Sequence, residues 1–171
     1  MLETEQETLH PPDAELPDAH PLELRRIEFQ DIPKVVELLV EVLPTIKTYA
    51  RVSVAPNRLR TLMQANVDNP EMYGRILVYD TQIVGVGLGF VTRYAFSNEY
   101  HAQDILLYIA PKHRKSTTFG MLVRDFCTWA DSMNAKQIFL TYTAGVHAAA
   151  HSRLMASFGF EEVGRILVKG A

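Results

Sequence analysis

The segment Asp104-Ile-Leu-Leu-Tyr-Ile-Ala-Pro-Lys-His-Arg-Lys-Ser-Thr-Thr-Phe-Gly120 constrains this chain more than any other. A short apolar run passes through Pro111 and a basic, hydroxyl-rich turn into a helical pattern. A strand that feeds a helix through such a loop aims unpaired backbone N–H groups and the positive helix end at one point, which suits a phosphorylated ligand. An ordinary strand-loop-helix junction with a solvated basic face would read the same way, so the rest of the chain has to arbitrate.

Ahead of this segment, Leu22, Leu24, Ile27 and Phe29 read as a first strand ending at Gln30-Asp31, with Asp31 placed to cap the next helix. Pro33 at an early helical position, then Val35, Val36, Leu38, Leu39 and Val42, predict that helix, which Pro44 stops. Residues 45–55 read as irregular. Pro56 and Asn57 open a second helix through Leu59, Leu62, Met63 and Val67, which Asp68-Asn69-Pro70 ends.

Arg75 to Tyr79 and Ile83 to Tyr94 around Asp80-Thr81-Gln82 predict a hairpin. Gly85, Gly87 and Gly89 strip side chains from one face of its second strand, which either seats a close-packed helix or lets a ligand approach the backbone. After the strand Asp104 to Ala110 comes a helix from about Thr117 to Met133, with a core stripe of Phe119, Leu122, Phe126, Trp129 and Met133. A strand at Gln137 to Tyr142, a polar turn at Thr143-Ala144-Gly145, a short helix around His147 to Ser157 and a last strand near Glu161 to Lys169 complete the chain. Adjacent strands followed by alternation of strands and helices predict an α/β (α+β) domain, its mixed sheet covered on both faces.

Composition narrows the class. At 171 residues and 47% hydrophobic, the chain can bury one full core. Cys127 is the only cysteine and the six histidines are scattered, so neither an intrachain disulfide nor a metal site is expected, and a cytoplasm-like compartment fits best. The first twenty residues lack a signal-peptide pattern, and the longest apolar stretch, Ile83 to Val91, is too short to span a bilayer. Residues 1–20 hold six acids, no Lys or Arg, and Pro11, Pro12 and Pro17, which predicts a disordered acidic tail ahead of a domain over 21–171. That body carries 17 basic against 14 acidic residues, mildly favourable for a polyanionic ligand. The bases are scattered, which gives no support to a nucleic-acid-binding domain.

From Asp104 to Gly164 the chain resembles the GCN5-related N-acetyltransferase superfamily. That family shows an apolar strand with a Val-x-Pro step, then Arg/Gln-x-x-Gly-x-Gly/Ala opening a long helix, and later a short helix ending in Tyr-x-x-x-Gly-Phe. Here the strand is Leu106-Leu107-Tyr108-Ile109, the step Ile109-Ala110-Pro111, the arginine Arg114, and the later match Phe158-Gly159-Phe160-Glu161. Thr117 and Phe119 stand where the family has glycines, Gly120 being the only one, and such a degenerate loop is similar to those of acetyltransferase-like proteins of bacteriophages. The resemblance implies an acyl-coenzyme A N-acyltransferase-like fold with a mostly antiparallel sheet of six to seven strands.

It also implies a site for acetyl-CoA. Leu107, Tyr108 and Ile109 would line up with the pantetheine and polarise the thioester carbonyl. Arg114, Lys115, Ser116, Thr117, Thr118, Phe119 and Gly120 would hold the pyrophosphate, provided Phe119 turns inward. The family's proton-donating tyrosine falls at Met155, which cannot donate. Tyr142 and His147 replace it in this reading, with His151 and Ser152 also in reach; His147 and His151 share a helix face that serves equally well as polar surface. Relatives keep an acid near Asp104, which would act as base through water, Glu99 and His101 lying just upstream; a solvent-facing strand-edge acid is the alternative.

The activity so implied is acetyl transfer to a primary amine by direct attack, the alternative being a non-catalytic acyl-coenzyme A-binding or protein-interaction module that keeps the fold. The acceptor stays open between a small amine, a protein lysine or N-terminus, and an amino group on a modified nucleotide. The loop Leu43 to Asn57, with Lys47, Tyr49 and Arg51, is expected to border the acceptor, and a homodimer to form through the last strand, Ile166 to Val168.

Overall fold

The structure is a computed structural model that describes residues 21–141 and 148–164, the stretch 148–151 as backbone only. The acidic tail, the 143–145 turn, Tyr142, His147 and the end of the expected last strand lie outside the described residues.

The hairpin forms where the period-two pattern places it, as β2 (Met72–Tyr79) and β3 (Gln82–Arg93). Asp80 and Thr81 join them at φ 46° and 64°, a two-residue left-handed turn whose twist matches that of the strands. β1 (Glu23–Arg26) pairs antiparallel with β2, β4 (Tyr100–Ile109) antiparallel with β3, and β5 (Ala135–Phe139) parallel with β4. The sheet of the described residues therefore runs β1-β2-β3-β4-β5, mixed and mostly antiparallel, with five strands where six to seven were expected. Residues 161–164 are not in a strand.

The first strand is shorter than its apolar pattern, because the chain turns at Phe29–Asp31. Asp31 does not cap the next helix with its side chain. Its carboxylate instead takes two hydrogen bonds from Arg25, at 2.7 and 2.8 Å, and the Glu28 N–H at 2.9 Å. The Arg25 guanidinium thereby holds the Asp31 carboxyl below the usual carboxylate range and ties β1 to the helix start.

Two helices, α1 (Ile32–Val42) and α2 (Pro56–Asp68), cover one face through Val35, Leu39 and Met63 against Ile76, Val86 and Leu88. The other face carries α3 (Ser116–Ser132), whose Leu122 and Phe126 pack on Tyr73, Val91 and Ala102. A Cβ on Gly87 would lie 2.8 Å from Leu122 Cδ1, and one on Gly89 would lie 2.6 Å from Phe126 Cε2. Gly87 and Gly89 thus bring α3 close to the sheet, the packing member of the two sequence readings, whereas a Cβ on Gly85 would meet Leu77 and the Tyr108 carbonyl. Tyr73, fully buried under α3, meets Phe126 edge-on and donates its hydroxyl to Asp125 at 2.8 Å. Burial, then the Asp125 charge, pushes the Tyr73 phenol upward. The last described element is α4 (Ala148–Ser157). Among the described residues no helix is long and apolar enough to cross a membrane.

Candidate functional site

The parallel strands β4 and β5 stay paired only from Tyr100 to Gln103 on one and Ala135 to Phe139 on the other. Beyond that point β4 continues to Ile109 paired with β3, and among the described residues no strand pairs with its edge toward β5 over Ile105 to Ile109. Asp104 stands where the strands part. Its Oδ1 accepts the Thr141 N–H at 2.6 Å and the Thr141 hydroxyl at 2.9 Å, bracing the opening just past β5.

The solvent-facing reading of Asp104 is overturned, since the residue is 4% exposed. Burial pushes its carboxyl up to about 6, against the Thr141 bonds, which pull it down. The carboxylate is still the main form at neutral pH. His101, earlier on the same strand, lies against Tyr94 with ring centroids 4.6 Å apart and edge-on to Phe139 at 5.5 Å, with a buried Nδ1 that no described group satisfies.

A β-bulge accompanies the parting. Leu88 pairs with Leu106 and Gly89 with Asp104, leaving Ile105 as the extra residue. Ile105 and Leu106 consequently both pack with the α1–α2 layer, whereas Leu107 and Ile109 pack with the α3 layer and Tyr108 returns to the first. Nothing in the sequence signals this, because a bulge depends on the partner strand.

After β4 a 3₁₀ turn, Pro111–His113, leads into α3. The Arg114 N–H donates to the Pro111 carbonyl at 3.3 Å and the Lys115 N–H to the His113 carbonyl at 2.9 Å, so these residues offer an anion only their side chains. Phe119 N–H donates to the Lys115 carbonyl at 3.0 Å, the first bond of the helix. The N–H groups of Ser116, Thr117 and Thr118 are therefore without a partner inside the helix, at its positive end.

The expected phosphate-binding residues thus divide. Arg114, Lys115, Ser116 and Thr117 are exposed around the helix start, and Thr118 buries its side chain but keeps its first-turn N–H. Phe119 turns inward and packs beside the α3 core, as the sequence required. Gly120 is buried inside the helix under Phe158, whose Cζ would be 3.2 Å from an added Cβ. Arg114 Nε donates to the Ile109 carbonyl at 2.7 Å and its guanidinium lies over the Tyr108 ring at 5.6 Å. The cation is anchored at the mouth of the open edge, and the Ile109 carbonyl is occupied.

A groove of about 880 Å³ continues from Ser116 and Thr117 between α3 and the end of α4, floored by Gly120 and flanked by Arg124 and Phe158. Arg124 sits 5.8 Å over the Phe158 ring. Gly159, at φ +84°, ends α4 as a left-handed cap, and the Met155 carbonyl accepts the N–H groups of Phe158 and Phe160 at 3.0 and 3.1 Å. Met155 itself is buried. Of the proposed proton donors, Tyr142 and His147 lie outside the described residues, and Ser152 is exposed on α4. On the opposite side, a second cleft of about 840 Å³ lies between α1, α2 and β4, lined by Tyr49, Val52 and Leu62 together with Ile105 and Leu106. Of the loop residues expected to border the acceptor, Tyr49 lines this cleft, and Lys47 and Arg51 are not among its lining residues.

No protein-family model matches the sequence, and no curated protein matches it. Solved structures do match in fold. The glucosamine-6-phosphate N-acetyltransferase of Arabidopsis thaliana superposes with a TM-score of 0.67 at 14% identity, covering 88% of this chain and 98% of its own. A predicted acetyltransferase of Clostridium acetobutylicum, solved with acetyl-CoA, gives a TM-score of 0.68 at 15% identity over 88% of this chain and 96% of its own.

The chain has the fold of the GCN5-related N-acetyltransferases.

A family acetyltransferase of Staphylococcus aureus agrees, with a TM-score of 0.61 at 15% identity over 88% of this chain and 98% of its own. None of these three is a bacteriophage protein, and the likeness to bacteriophage proteins finds no support in them. The open β4 edge and the α3 start fall in the segment that carried the sequence resemblance, Asp104 to Gly120.

Proposed function

We propose that the protein is an N-acetyltransferase that takes an acetyl group from acetyl-CoA and passes it to a primary amine. The observation that carries this reading is continuity: the open edge of β4 leads through the Pro111–His113 turn to three first-turn N–H groups at the α3 N-terminus, with Arg114 and Lys115 immediately before them. An extended chain can add to the first as a strand would, and a pyrophosphate can lie on the second. The residues fit the ligand without the family's glycines because Phe119 faces the core and Thr117 faces out.

Acetyl-CoA would supply an activated thioester, its C–S bond breaking as the amine nitrogen forms the new N–C bond. The chain's own part is mostly placement. The edge of β4 over Ile105, Leu106, Leu107 and Tyr108 orients the thioester end, and Ser116, Thr117 and Thr118 hold the phosphates with Arg114 and Lys115. Asp104, braced by Thr141, takes the ammonium proton through water, and a carboxyl near pH 6 is suited to that at neutral pH. Tyr142 and His147 are the residues proposed to return a proton to the thiolate.

One observation favours a second reading. Met155 fills, as a buried side chain, the position where the family carries its tyrosine, so a protein that binds acyl-coenzyme A without turnover would look the same here. Release of free thiol from acetyl-CoA on adding a mixture of primary amines separates the two. Amine-dependent release above the uncatalysed rate supports the transferase. Binding without release supports the module and removes the enzyme.

A further inference from the structure

The cleft between α1, α2 and β4 is joined to the proposed thioester site by two residues. The bulge turns Ile105 and Leu106 into its wall, and the same two residues begin the open edge of β4. An amine seated in the cleft would meet an acetyl group held along that edge, so a role for the cleft in acceptor binding rests on the transferase reading.

The interior of the cleft is aliphatic, from Leu39, Leu62, Leu88, Ile105 and Leu106. Its polar side chains are Asn57, Arg58 and Thr61 on the exposed side of α2, with Ser53 and the Tyr49 ring from the preceding loop, and among the described residues Arg58 is the one charged residue in the lining. No Asp or Glu lines it among the described residues, and Arg58 makes no ion pair with a described carboxylate. A polyamine, an aminoglycoside-like polycation or a lysine-rich peptide would have to bring several positive charges against a dry wall and one arginine, with nothing of opposite sign to offset desolvation. A ligand with an apolar body and a carboxylate meets the opposite case, since its body covers the wall and its carboxylate pairs with the guanidinium.

We propose that the cleft selects a small amine bearing both an apolar body and a carboxylate, the chemistry of an apolar α-amino acid, with Arg58 as the residue that reads the carboxylate. Arg58 is exposed and at a helix surface, so its replacement does not threaten the fold.

The test is calorimetric binding of L-phenylalanine, phenethylamine and spermidine to the wild type and to Arg58→Ala, with acetyl-CoA and octanoyl-CoA titrated separately into the wild type. Phenylalanine is expected to bind at least tenfold more tightly than phenethylamine, which lacks the carboxylate, and spermidine most weakly. Arg58→Ala should weaken phenylalanine about tenfold, the scale of one charge-assisted hydrogen-bonded pair, and leave phenethylamine unchanged. Absent phenylalanine binding, indifference to Arg58→Ala, or preference for spermidine each overturns the assignment. So does tighter binding of octanoyl-CoA than acetyl-CoA without amine binding, which makes the cleft an acyl-chain pocket. Failure of acetyl-CoA to bind while phenylalanine does would reject the transferase reading alone.

Discussion

Asp104→Asn should change how stability depends on pH, by an amount set by the burial of one carboxyl. Asp104 is 4% exposed, and its folded-state value lies near 6 against an ordinary 3.8, burial outweighing the two Thr141 bonds. A shift of roughly two units at about 1.36 kcal/mol each is about 3 kcal/mol. A raised acid binds its proton more tightly when folded. The stabilisation is therefore fully present below about pH 3.8 and lost as pH rises through about 6. The asparagine does not titrate, and its amide oxygen can still accept from Thr141. Urea unfolding of both proteins between pH 4 and pH 8 should show the wild type losing up to about 3 kcal/mol relative to Asp104→Asn as pH rises. Parallel profiles, or a wild type that gains on the variant with rising pH, would refute the buried-carboxyl account. If Asp104 is also the proton acceptor, kcat/KM should show a limb near pH 6 in the wild type that the variant lacks.

Thr141→Val removes one donor to Asp104 and keeps the backbone N–H, so that limb should move to higher pH, measured as the midpoint of the pH profile. Gly89→Ala sets a methyl 2.6 Å from Phe126 Cε2 and 2.8 Å from the Gln103 carbonyl, and should cost about 1–3 kcal/mol in chemical denaturation. Tyr73→Phe strips the hydroxyl from a fully buried ring bonded to Asp125, and should cost about 1–2 kcal/mol while leaving acetyl-CoA binding intact.

The fold was legible where local chemistry and tertiary packing agree. Pro33, Pro44, Pro56 and the Asp68-Asn69-Pro70 break delimit α1 and α2 as the sequence reads, and Asp80-Thr81 makes the hairpin turn. It was less legible at β1, where the apolar pattern continues to Phe29 but the Arg25–Asp31 pair turns the chain earlier; an ion pair six residues apart leaves no periodic trace. In the site, the loop and the inward Phe119 were readable because the helical stripe fixes which side of α3 is apolar. The parting of β4 from β5, the bulge at Ile105 and the Thr141 brace were not, since each depends on register between strands distant in sequence. Asp104 carried a signal of another kind: an acid within an otherwise apolar run is costly to bury unless something holds it, and Thr141 does.

Calorimetric titration of acetyl-CoA into the wild type and an Arg114→Ala/Lys115→Ala variant tests most directly whether the β4 edge and the α3 start form one acetyl-CoA site. Saturable binding of about micromolar affinity to the wild type is expected, weakened at least tenfold in the variant with the fold intact by circular dichroism. No heat of binding at millimolar acetyl-CoA, or equal affinity for both proteins, would contradict it.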